Sequence, residues 1–146
     1  MDNLSLLVDS LHDLMISRNI KLDDIYKATN VSPNSIYAWL RNEKIPTLKS
    51  LVLLADYFEC SVEYLCGRVE LDTFVRSANP STFSERLRLL MKKNGVSQRI
   101  LNADTKISTS SIHHFLTGTS KPLLDNLIKL SVYFDCSIDY LIGRED

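Results

Sequence analysis

YFECSVEYLCGR (Tyr57 to Arg68) comes back 76 residues later as YFDCSIDYLIGR (Tyr133 to Arg144). At the same offset Ser32, Ser35, Ile36, Leu40, Pro46, Leu48, Leu51 and Leu54 fall on Ser108, Ser111, Ile112, Leu116, Pro122, Leu124, Leu127 and Leu130. Leu11, Leu14 and Met15 likewise match Leu87, Leu90 and Met91. From Leu11 to Arg68, 20 of 58 aligned positions are identical. Self-similarity at a fixed offset marks a repeated structural unit. Two copies predict two domains of one fold.

Working outward, each copy reads as five short helices. Leu4, Leu7, Val8, Leu11, Leu14 and Met15 form a stripe at helical spacing that ends near Asn19. The second copy opens on a Thr82-x-x-Glu85 capping box and stops at Gly95, the equivalent of Asn19. Both residue types accept a left-handed backbone. A second helix is expected over 21–29 and 97–105. Ser32 caps a third that has Pro33 at its first position, and Ser108 repeats the cap. Pro46 and Pro122 precede a fourth helix, and Ser61 and Ser137 cap a fifth carrying Tyr64-Leu65 and Tyr140-Leu141. No segment alternates with a period of two. The chain reads as all-α, with a first domain over 1–70, a partly ordered linker over 71–81 and a second domain over 82–146. Within VELDTFVRSANPST (Val69 to Thr82), the residues Val69, Leu71, Phe74 and Val75 give an apolar side expected to be partly packed or helical, with a break at Asn79-Pro80.

Composition is that of a folded protein: 45% of the 146 residues are hydrophobic, with only 4 Gly and 4 Pro. No apolar run approaches the ~20 residues that span a bilayer, and Asp2, Asp9, His12 and Asp13 interrupt the start where a secretory leader would be continuous. Cys60, Cys66 and Cys136 are odd in number and lie in apolar segments, which fits reduced core residues of a cytoplasmic protein. The net charge of −1 hides an asymmetry: residues 1–74 hold 7 basic and 11 acidic side chains, residues 75–146 hold 10 and 7.

SQRILNADTKISTSSIHHFLTGTSKP (Ser97 to Pro122) resembles the lambda-repressor-like helix-turn-helix family, also called the xenobiotic-response-element (XRE) type. The resemblance rests on Ser97, Gln98, Ile107, Ser108, Ser111, Ile112, Phe115, Gly118 and Pro122, and taken as two copies it covers nearly the whole chain. It implies two tandem five-helix helix-turn-helix domains and a transcriptional regulator that binds double-stranded DNA. Recognition helices would lie near 33–42 and 109–117. Such proteins commonly act as dimers, so a homodimer or an intramolecular pseudo-dimer of the two repeats is implied.

A helix offered to the major groove needs an apolar underside and a small polar outer face. Ile112 and Phe115, like Ile36 and Trp39, are expected inward; Thr109, Ser110, His113, His114 and Thr117 are expected outward. By the resemblance, Gln98, Thr109, Ser110 and His114 occupy base-reading positions, and Ser108 and Ser111 sit where phosphate oxygens are met. Lys121, with Lys92, Lys93, Arg99 and Lys106, supplies positive charge. In the first copy Leu22 replaces the Gln and Asn42 the Gly, while Asn34, Ser35, Tyr37, Arg41 and Lys44 remain as DNA contacts. Asp23 and Asp24 oppose a phosphate backbone there. The competing reading is a protein–protein interaction module on the same fold. The family commonly buries an Arg–Glu pair between its first and third helices; here those positions are Met15 with Leu40 and Met91 with Leu116. An apolar exchange of both ions is tolerated where loss of one is not, which predicts direct contact within each pair.

His113 and His114 are adjacent, point about 100° apart on a helix and have no ligand-type residue at helical spacing, so no metal site is expected. Cys60 and Cys136, beside Phe58 and Phe134, read as core fillers, as do the tyrosines of the fifth helix. No phosphate loop and no Ser/His/Asp arrangement is present, so neither a cofactor nor an enzymatic activity is expected.

Overall fold

The computed structural model describes residues 2–146. Their regular elements are all α-helical, and the chain divides into two compact units after Phe74. The first holds α1 (Asn3–Ser17), α2 (Leu22–Thr29), α3 (Pro33–Leu40), α4 (Leu48–Tyr57) and α5 (Val62–Leu65). The second holds α6 (Phe83–Asn94), α7 (Gln98–Thr105), α8 (Thr109–Thr117), α9 (Leu124–Tyr133) and α10 (Ile138–Leu141).

Local chemistry sets most of these boundaries. The hydroxyls of Ser32, Ser61, Ser108 and Ser137 accept the N–H three residues on, at 3.1, 2.9, 3.1 and 2.9 Å. Each satisfies one of the donors a helix start leaves orphaned. Thr82 does the same for Glu85 at 3.2 Å. Asn19 and Gly95 turn left-handed at φ 53° and 64°, ending the first helix of each unit.

Within each unit the first helix packs on the third and fifth, the second on the third and fourth, and the fourth on the fifth. Leu7, Leu11, Ile25, Ile36, Leu51, Leu54, Phe58 and Leu65 form the first core; Leu87, Leu101, Ile112, Leu124, Leu127, Leu130 and Leu141 form the second. Met91 is buried and Leu116 half-buried on the paired helices α6 and α8. In the first unit Leu40 is 52% exposed and lines a shallow depression with Leu4, Val8 and Trp39. Cys60 and Cys66 are buried thiols, whereas Cys136 is only half-buried. Tyr64 and Tyr140 are half-buried too.

The joining segment is packed only in part, at half-buried Phe74 and buried Ser77. It contains no helix, and Leu71 and Val75 are 75% and 77% exposed. Hydrogen bonds order it instead. The Asp72 carboxylate accepts N–H groups from Ser61 (3.4 Å) and Phe74 (3.2 Å), a local bond that competes with helix formation. Ser77 is buried, donating its N–H to the Arg144 carbonyl (2.8 Å) and its hydroxyl to Asp146 (2.7 Å).

Candidate nucleic-acid interface

The turn between α7 and α8 is tied from both sides. Asn102 donates its side-chain amide to the Ile107 carbonyl at 2.7 Å, and the Thr105 hydroxyl accepts the Ile107 N–H at 3.2 Å. Lys106 between them takes φ 64°. The first unit repeats this turn with Thr29 accepting from Val31 (3.1 Å) and Asn30 at φ 63°. A helix, a tight left-handed turn and a second helix are thus built twice.

On α8, Ile112 and Phe115 point into the core, and the Phe115 ring meets Phe83 edge-on at 5.7 Å. Thr109, Ser110, His113, His114 and Thr117 are all exposed, as are Gln98 and Lys121. Exposed Lys92, Lys93, Arg99 and Lys106 add positive charge to the same unit. The Ser108 hydroxyl is engaged twice, capping the helix and donating to Ser111 Oγ at 2.8 Å. The first-turn N–H groups of α8 lie at the positive end of the helix dipole, where anionic oxygens are favoured.

Three residues that pattern reading passed over fix this helix. Ser84 donates to the Phe115 carbonyl at 2.7 Å, and Arg88 donates to the Leu116 carbonyl through Nε (3.1 Å) and Nη2 (2.5 Å). Together they satisfy two of the last-turn carbonyls of α8 with α6 side chains, one of them cationic. Past the left-handed Gly118, Thr119 places its hydroxyl 2.9 Å from His114 Nδ1 and 2.9 Å from Thr117 Oγ1. That contact engages one ring nitrogen of the exposed His114. No local sequence signal announces it.

The first unit is built differently at these positions. Val8 and His12 stand where Ser84 and Arg88 do. On α3, Asn34 and Tyr37 are exposed and Ala38, the counterpart of His114, is buried. Ser35 shares a hydrogen bond with Ser32 at 3.1 Å. The helix ends at Leu40, short of 42, so Arg41 and Lys44 follow it on an exposed turn; Arg41 pairs with Glu43 at 3.2 Å. Asp23 pairs with Lys27 at 3.0 Å, and Asp24 accepts the Lys21 N–H at 2.9 Å. These carboxylates serve α2 itself, and they still present negative charge beside α3.

The geometry defines a helix-turn-helix protein in which the second helix of each motif carries the outward face. Comparison with known families agrees. Residues 11–65 match the family described as helix-turn-helix, and residues 86–146 match the Cro/C1-type HTH DNA-binding domain. No curated protein and no solved structure matches the chain. The chain belongs to the helix-turn-helix class as a tandem of two Cro/C1-type domains. No helix among the described residues is long and apolar enough to cross a membrane, and no His/Cys/Asp/Glu cluster there is suited to a metal.

Proposed function

We propose that the protein is a non-enzymatic, cytoplasmic transcriptional regulator that reads a specific double-stranded DNA sequence through α8. The observation that carries this reading is the uninterrupted polar exposure of Thr109, Ser110, His113, His114 and Thr117 on a helix clamped at its far end by Ser84 and Arg88. Gln98 and the side chains of Thr109, Ser110 and His114 contact base edges; Ser108, Ser111 and Lys121 meet phosphates. Lys92, Lys93, Arg99 and Lys106 add the salt-sensitive share of affinity.

The first unit contributes through Asn34, Ser35, Tyr37, Arg41 and Lys44, and the two units act as a pseudo-dimer, or two chains as a homodimer, on half-sites roughly 34 Å apart. A second reading applies to this unit alone. Its α3 shows Tyr37 and Leu40 to solvent, buries Ala38 and lies beside Asp23 and Asp24. That surface suits a protein partner better than a phosphate backbone.

Selection from a random duplex pool, followed by salt titration, tests the assignment. Affinity for the selected sequence falls steeply with salt. The triple change Thr109→Ala, Ser110→Ala, His114→Ala removes sequence preference while leaving helicity unchanged. Selectivity that survives the triple change overturns the reading face. Absence of any association at low salt overturns DNA binding itself.

A further inference from the structure

The two copies differ most informatively between the first and fifth helices. In the second unit Arg86 is nine-tenths buried, with its guanidinium carbon 4.3 Å from the centre of the Tyr140 ring. Nε donates to Ser81 Oγ at 2.5 Å, and Asp146 lies 3.7 Å from Nη2. A cation thus fills the space beside the fifth-helix tyrosine. In the first unit the tyrosine remains as Tyr64, and the arginine has become Ser10. Ser10 turns its hydroxyl onto the Tyr64 carbonyl at 3.0 Å. Beside Ser10 and Tyr64 lies an open groove of about 390 Å³, lined also by Leu6, Asp9, Asp13 and Val69.

Its charge matches the missing occupant. Asp9 and Asp13 are both exposed along the groove, and Asp13 stands where the second unit has Leu89. The copy that carries its own arginine has an apolar residue at that position; the copy without one has a carboxylate. A tyrosine, apolar side chains and two acids line the groove, a set suited to a flat, weakly hydrated cation that stacks and donates in the same plane. The volume lies within the range of small-ligand clefts.

We propose that this groove is a binding site for an alkylguanidinium group, which stacks on Tyr64 and pairs with Asp9 and Asp13. The group comes either from a free small molecule or from an arginine side chain of a protein partner. The site is built from first-unit residues alone and stands whether or not α8 reads DNA.

The test follows the Tyr64 ring and Val69 methyl resonances of the full chain during titration with ethylguanidinium, butylammonium and the blocked tripeptide acetyl-Gly-Arg-Gly-amide. Saturable shifts are expected with both guanidinium probes and a weaker response with butylammonium. Asp13→Leu, which borrows the second unit's residue, weakens guanidinium binding by about twofold to fivefold, the worth of one hydrated ion pair. Ser10→Arg supplies the occupant internally and abolishes binding. Should that variant fail to fold, Asp13→Leu decides alone. A tripeptide about tenfold tighter than ethylguanidinium identifies an arginine side chain as the source; equal or weaker binding identifies a free cation. The proposal is overturned if neither guanidinium probe saturates, if butylammonium binds as well, or if Asp13→Leu binds unchanged.

Discussion

Both units close on an acid five residues before an arginine, and the two pairs differ in burial enough to be compared. Asp139 and Arg144 form an ion pair whose side chains are 1% and 9% exposed. Glu63 and Arg68, their counterparts, pair at 3.0 Å with 12% and 25% exposure. Asp139→Ala removes the carboxylate paired with the buried Arg144 guanidinium. Removing one partner of a buried pair costs about 3–5 kcal/mol, whereas a unit of this size has roughly 4–11 kcal/mol in all. At ~4–8 °C per kcal/mol for a small domain, its midpoint falls by about 12 °C or more. Glu63→Ala acts on a pair still touched by water and costs on the order of 1 kcal/mol, or about 5 °C. The double change Asp139→Leu with Arg144→Met removes both charges and recovers most of the loss. Thermal unfolding followed by NMR peaks assigned to each unit separates the two transitions, which a single bulk signal would merge. Equal losses in the two single variants, or a double variant as weak as Asp139→Ala, would refute the burial reasoning.

The remaining predictions concern backbone strain and pH. A methyl group at Gly143 would sit 1.8 Å from the Ser81 carbonyl oxygen at φ 82°, whereas one at Gly95, φ 64°, meets nothing within 4 Å. Gly95→Ala is therefore expected to cost about 1 kcal/mol in urea unfolding, for the left-handed backbone alone. Gly143→Ala should cost several times that, because the backbone of residue 81 must move. The Tyr133 hydroxyl donates to Asp104 at 2.6 Å, and this bond, helped by desolvation and the carboxylate's charge, holds the phenol above its usual range. A raised folded value stabilises below the unfolded value and is lost as pH climbs through the folded one. Ultraviolet titration should therefore show Tyr133 ionising above the ordinary phenol range, and Asp104→Asn should bring it back down.

Much of this protein was legible from the chain alone. The helix starts at Ser32, Ser61, Ser108 and Ser137, the turns at Asn19 and Gly95, and the inward Ile112 and Phe115 against the outward Thr109, Ser110 and His114 all follow from interactions within three or four residues. A capping hydroxyl and a helical period act over that range, so they leave their mark in neighbouring letters. What tertiary structure decided pairs residues far apart. Ser84 with Phe115, Arg88 with Leu116 and Tyr133 with Asp104 are separated by 31, 28 and 29 positions, and Arg86 meets Tyr140 across nearly the whole second unit. The same distance effect hid the open groove at Ser10, because a cavity is defined by what neighbouring helices fail to fill. Sequence determined where each helix begins and which side it turns inward; only packing decided which side chains clamp the recognition helix and where a guanidinium is missing.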